Sequence, residues 1–357
     1  MMLKNLVWGV AAFAAIGLSG CGSSDNGTGT TGGDTGAATT TGGKTAATGG
    51  AKKTLKIVMI AKSSNNPVFQ SAKTGAEAAA KDLGAKNNAD IQVVWATPPE
   101  ENGEEQARRI AQAVNDGANA ILVSCSDAAK VTNAINDAVD KGVPVMTFDS
   151  DAPDSKRFAF YGADDVDAGH LVMKELGAVT NGKGNYAILS GNQTAPNLQK
   201  RVQGVKDEAK NFPGLKLVNT FYLTKETPQD ASAEVTRAMN ANPQIDCWAM
   251  VGGWPLFNTA LLSLDPAKVK IVAVDALPEE LEYVSKGIAP TLLAQPTYLW
   301  GHKSVEIIVD KLLLNKDVPA ITKMDLVKVT KETLPTWSKQ LQDWGFKVDP
   351  KYLAAAK

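Results

Sequence analysis

The chain has 357 residues, enough for two domains of ordinary size. Its 37 basic and 38 acidic residues leave a formal net charge of −1, which excludes the charge-driven affinity of a nucleic-acid or anionic-surface binder. Hydrophobic residues make up 44%, sufficient for a full core.

Residues 1–20 do not read as fold. Lys4 supplies a short basic region and Leu6 to Leu18 an apolar one, too short to span a bilayer comfortably. The segment ends Leu18-Ser19-Gly20-Cys21, which resembles the lipobox of a bacterial lipoprotein. That resemblance implies a signal peptide over 1–20, cleavage before Cys21 and acylation of Cys21. From Gly22 to Lys53, 26 of 32 residues are Gly, Thr, Ala or Ser, a composition too poor in apolar surface to fold. As a flexible tether over 21–53 it would span roughly 30 Å.

From residue 55 onward strand and helix patterns alternate. Ile57–Ala61 is apolar on both faces, as in a parallel sheet covered on two sides. The turn Lys62-Ser63-Ser64-Asn65-Asn66-Pro67 follows, and then a helix whose buried face is Phe69, Ala72, Ala76, Ala79 and Leu83. Strands are expected at 91–96, 120–125 and 143–149, with helices at 105–115 and 128–141. A second series runs through strand 158–161, helix 165–179, strand 186–190, helix 197–211, strand 215–222, helix 230–240 and strand 247–251. A short helix near Leu256–Leu264 and strand 271–275 close it. Trp337, Leu341, Trp344 and Phe346 are spaced for a helix that packs by its apolar face.

The two series echo each other: ANAILVSCS against IDCWAMVGG, and VPVMTFDSD against VKIVAVDAL. The pattern predicts an α/β fold of two similar doubly wound parallel-sheet lobes, hinged as a trap. Each lobe has a strand that ends in an aspartate, Asp149 and Asp275. Open α/β sheets place ligands at strand carboxyl ends, and a carboxylate can accept from two neighbouring sugar hydroxyls at once. Capping of the next turn competes with that role. Asn65, Asn66 and Phe69 are delivered to the same crevice by the first turn. Trp254 reads either as a stacking platform for a pyranose face or as a ring packed under the cleft wall. Cys125 and Cys247 lie in different halves, so two buried thiols are expected rather than a disulfide.

The segment GAVTNGKG (177–184) has glycines and a lysine in P-loop style, but it follows a helix and precedes a strand, the reverse of what phosphate binding needs. His170 and His302 stand far apart and make no metal-ligand spacing with the cysteines. No metal, no cofactor and no catalytic residue is expected.

The segments NNPVF (65–69), VPVMTFDSDAPDSKR (143–157), YGADDVDAG (161–169), NLQKRVQG (197–204), VAVDALPEELEYVSKG (272–287) and TLLAQPTYLWG (291–301) stand in one order. Together they resemble the periplasmic monosaccharide-binding proteins of ABC importers, the ribose-, glucose/galactose- and xylose-binding family. The likeness is to the glucose-binding branch that carries Asp-x-Asp at the second motif. The resemblance implies a type I periplasmic binding fold with three crossings, near Ala163, Gln295 and Asp325. Lobes would comprise 54–163 plus 296–325 and 164–295 plus 326–357. It implies ligand contacts at Asn66, Phe69, Asp149, Asn197, Arg201, Asp275 and Gln295. Ser150 stands where many ribose binders have arginine, which weakens any claim for ribose. Arg201 could equally serve a structural ion pair.

The leading expectation is an extracytoplasmic, lipid-anchored monomer, in the periplasm or at the cell surface. It would capture a hexose such as glucose, or a pentose such as xylose or ribose, and deliver it to an ABC permease. A surface sensor that hands occupancy to a receptor keeps the fold and changes the role. A glycoside hydrolase with Asp149 and Asp275 as paired carboxylates is the third reading. A DNA-binding regulator is excluded, since residues 1–54 offer no helix pair for the purpose.

Overall fold

The structure is a computed structural model that describes residues 52–354; Cys21 and the expected signal peptide lie outside the described residues. The first half of the chain runs β1 (Lys53–Ile60), α1 (Pro67–Asn87), β2 (Ala89–Trp95), α2 (Gly103–Asn115), β3 (Ala120–Val123), α3 (Ala128–Asp140), β4 (Val145–Phe148) and β5 (Ala159–Gly162). The second runs α4 (Asp165–Val179), β6 (Lys183–Ser190), α5 (Pro196–Glu208), β7 (Gly214–Tyr222), α6 (Pro228–Ala241), β8 (Cys247–Met250), β9 (Lys270–Val274), α7 (Leu281–Lys286) and β10 (Thr291–Ala294). Then come α8 (Thr297–Leu312), β11 (Ile321–Lys323), β12 (Val327–Val329) and α9 (Leu334–Asp343).

These strands make two six-stranded sheets of the same plan, β2-β1-β3-β4-β5-β11 and β7-β6-β8-β9-β10-β12. All pairings are parallel except β10 with β12. Within the described residues the chain changes sheet three times, between Gly162 and Lys183, between Ala294 and Ile321, and between Lys323 and Val327. The central strands are buried along their whole length, as sheets covered by helices on both faces require.

Local chemistry explains the elements that matter for the site. Pro67 opens α1, and the Asn66 side chain accepts from the Val68 N–H to cap it. Helices α4 and α5 cross at Gly169 and Gly204. A Cβ on Gly169 would sit 2.0 Å from the Arg201 carbonyl oxygen, and one on Gly204 would sit 2.1 Å from that of Val166. Only glycine permits this approach. It draws the first turns of α5, with Asn197 and Arg201, against the start of α4.

Three features differ from the sequence reading. β1 begins at Lys53, paired with Ala89, so the strand takes in the last residue assigned to the tether. The helix expected at Leu256–Leu264 is a single 3-10 turn, Trp254–Leu256, followed by irregular turns. The Tyr283 hydroxyl donates to the Asn258 carbonyl at 2.6 Å and accepts from the Leu261 N–H at 3.2 Å, taking backbone groups that a helix would use. Strands β10, β11 and β12 went unread. Cys125 and Cys247 are buried free thiols.

Candidate functional site

Asp149 and Asp275 stand one residue past the ends of β4 and β9, at equivalent places in the two sheets. Both hold left-handed backbone, φ +57° and +83°. Each backbone N–H pairs with the neighbouring strand, Asp149 with the Tyr161 carbonyl at 3.0 Å and Asp275 with that of Leu293 at 2.9 Å. Left-handed backbone is costly outside glycine and is least so for Asp and Asn. Two carboxyl groups are thus held at matched positions against a backbone preference.

Both face the same network. Asp149 accepts from the Ser124 hydroxyl at 2.7 Å and, from the opposite lobe, from the Asn197 amide at 3.2 Å. Asp275 accepts from the Gln295 amide at 2.7 Å and from the Gly253 N–H at 3.2 Å. Arg201 joins them. It donates to Asp165 at 2.8 Å, to the Gln295 side-chain oxygen at 2.8 Å and to the Val251 carbonyl at 3.2 Å, and it lies 3.9 Å from Asp149. All of these side chains are buried. Burial pushes Asp165 and Asp275 above the ordinary aspartate range, against the pull of Arg201. Burial also opposes the charge on Arg201, but Asp165, Asp149 and Asp275 outweigh it and raise the guanidinium further.

Five residues singled out in the sequence therefore meet: Asp149, Asn197, Arg201, Asp275 and Gln295. The other three sit at the margins. Asn66 is buried and uses its side-chain oxygen to cap α1. Phe69 is buried in an aromatic cluster, stacked on Trp300 at 5.9 Å and edge-on to Phe148 at 6.5 Å. Trp254 is buried, its ring lying where a Cβ on Gly252 would come within 2.5 Å.

Sequence reasoning passed over a second polar cluster beside the first. Lys62 follows β1, Glu101 follows β2, Asn192 follows β6 and Glu226 follows β7. Lys62 Nζ lies 3.4 Å from Glu101 Oε1 and 6.0 Å from the centre of the Phe69 ring. Burial works against the Lys62 charge, but Glu101, Glu226 and Asp149 more than offset this and hold the amine above its usual range. Asn192 bridges the lobes: its amide donates to Glu101 at 3.3 Å, and its N–H donates to Glu226 at 2.8 Å. Further out, Lys225 donates to Glu100 across the same gap at 2.9 Å. A cavity of about 220 Å³ opens between these residues, with Ser63, Asn65 and Thr224 in its wall. The available signal was position, since each of the four follows a strand's carboxyl end.

Two lobes of one plan, with polar side chains from both sets of strand ends meeting in the gap, define a two-lobe binding fold. A family model described as periplasmic binding protein domain matches residues 57–316, and the chain belongs to that family. Among curated proteins it is 27% identical over 280 residues to a xylitol-binding protein of Mycolicibacterium smegmatis, covering 73% of this chain and 77% of that one. It is 29% identical over 156 residues to the ribose import binding protein of Bacillus subtilis, a match covering 43% of this chain and 48%, about half, of that relative. Among solved structures, a glucose-galactose binding protein from Geobacillus stearothermophilus superposes with TM-score 0.71 at 27% identity, covering 80% of this chain and all of that one. A solute binding protein from Burkholderia graminis, solved with D-arabinose, gives TM-score 0.72 at 24% identity over 79% of this chain and 96% of its own, a likeness of fold.

Proposed function

We propose that this chain captures a monosaccharide between two closing lobes and presents the closed form to the permease of an ABC importer. One observation carries the reading: an aspartate from each lobe, Asp149 and Asp275, meets the other through Arg201 and Gln295 in a single buried network. Carboxylates accept from paired hydroxyls, while Arg201, Asn197, Asn66 and Gln295 offer donors to ring and hydroxyl oxygens. Phe69 and Trp254 supply apolar faces. Closure removes water and strengthens each polar contact. The names of the relatives, which bind ribose, xylitol and glucose or galactose, support a hexose or pentose.

In this reading the lobes are 54–163 plus 296–325 and 164–295 plus 326–357, the protein is a monomer, and no bond is made or broken. Acylation at Cys21 tethers it to a membrane outside the cytoplasm. The test is a thermal-melt panel of pentoses, hexoses and inositols. A cognate sugar at a hundredfold excess over Kd is expected to stabilise by about 2.7 kcal/mol. No shift with any sugar overturns the reading.

A further inference from the structure

The cleft holds more acid than it holds base. Among the described residues the buried charged side chains are Lys62, Arg201, Asp149, Asp165, Glu226, Asp275 and Glu280, and Glu101 joins them with its side chain 8% exposed. All eight belong to the two clusters in the gap or, for Glu280, to the wall beside Asp275. Two cations, Lys62 and Arg201, therefore face six carboxyl groups. Arg201 is committed to Asp165, Gln295 and Val251. Lys62 serves only its own end of the cleft.

The imbalance is sharpest at Glu101 and Glu226. Asn192 holds one oxygen of each carboxyl group. The remaining oxygens, Glu101 Oε1 and Glu226 Oε2, are buried and accept no hydrogen bond; Lys62 Nζ stands 3.4 Å from the first, and the second has no such neighbour among the ion pairs of the described residues. Buried acceptors left without donors are costly, and the cost grows when they carry charge. The two groups come from opposite lobes and share the wall of the 220 Å³ cavity. Burial, and next the neighbouring Glu226, push the Glu101 carboxyl above its ordinary range, so near neutrality Glu101 retains a proton. The charged groups that face the pair are Lys62, with Asp149 and Arg201 behind it, and Lys225 and Glu100 at the rim.

We infer that the ligand is a sugar or cyclitol bearing a protonated amino group, and that its ammonium seats between Glu101 and Glu226. The inference rests on the sugar-capture reading and names the class of sugar. An ammonium brings three donors and a positive charge to Glu226 Oε2, which accepts no hydrogen bond, and to Glu101 Oε1, which has only the Lys62 amine at 3.4 Å, in a space with excess acid. A hydroxyl brings one donor and no charge. On binding, ammonium N–H groups donate to Glu101 Oε1 and Glu226 Oε2, and the proton held by Glu101 passes to solvent.

The experiment is calorimetric titration of the full chain near neutral pH with matched pairs: glucosamine and glucose, galactosamine and galactose, an inosamine and its inositol. Each is repeated in buffers of different ionisation heat. At least one amino sugar is expected to bind roughly tenfold or more tighter than its hydroxyl partner, with proton release to the buffer. Glu101→Gln and Glu226→Gln are expected to abolish both the preference and the release. If neutral sugars bind as tightly as their amino partners, or if binding releases no proton, the inference is overturned and sugar capture stands. If no member of any pair binds, the inference is overturned, and sugar capture is decided by the melt panel that includes the pentoses. Proton release is read on the unaltered chain, so a variant that does not fold leaves the test intact.

Discussion

Replacing Arg201 with methionine tests whether the buried network is held together by its one guanidinium. Methionine fills much of the stem volume, so the change removes charge and donors rather than packing. Three hydrogen bonds go, to Asp165, Gln295 and Val251, and three buried aspartates lose a cation that interacts with each of them. Breaking a buried ion pair on one side costs about 3–5 kcal/mol, because the partner stays buried without compensation. The loss should also depend on pH. Burial raises Asp165 and Asp275 above 3.8, and Arg201 is the largest influence that opposes it. Without Arg201 both rise further, and the folded state binds more protons than the unfolded one. Stability then falls as pH climbs above 3.8 through the raised values. The deficit of R201M should be smallest in acid and widest near neutrality. Urea unfolding of the full chain across that range reads it directly. A neutral-pH deficit under about 1 kcal/mol, or one that shrinks as pH rises, would refute the argument.

Four further outcomes follow from the same geometry. Gly169→Ala places a methyl group 2.0 Å from the Arg201 carbonyl, forcing α4 and α5 apart; overpacking of this kind costs about 1–3 kcal/mol, and sugar affinity should fall with the melting temperature. Gly204→Ala strains the same crossing, so the double variant should lose less than the sum of the two. Glu101, raised from 4.5 to about 8, makes the unliganded protein lose stability as pH rises across that interval, and Glu101→Gln should flatten the profile of melting temperature against pH. Burial raises both the Cys125 and Cys247 thiols, so alkylation mapped by mass should spare both in the native chain and label both once it is unfolded; native labelling would show that one of them is accessible.

What could be read from the chain was whatever local pattern determines. Strands such as AILV (120–123), and a proline opening α1, announce themselves within a few residues. Asp149 and Asp275 were findable because each ends an apolar run, where this class of sheet gathers its ligands. Strands β11 and β12 are three residues long and exist only through distant partners, Phe160–Gly162 and Leu292–Ala294, so no periodicity reveals them. The apolar spacing of Leu256, Phe257 and Leu261 imitates a helix, yet the hydroxyl of a distant tyrosine settles the backbone otherwise. Lys62, Glu101 and Glu226 lie in loops, where charge is ordinarily solvated. Their burial comes from the facing lobe, which no window of sequence contains.

Gln295 directly follows β10 of the second sheet, and Pro296 then leads into α8, which packs on α1 of the first. The same amide accepts from Arg201 and donates to Asp275. Under the proposed function, any rotation at that joint would swing the amide plane, so opening of the lobes and release of the sugar would be a single motion. On that reading, variants made there to alter flexibility would retune recognition as well.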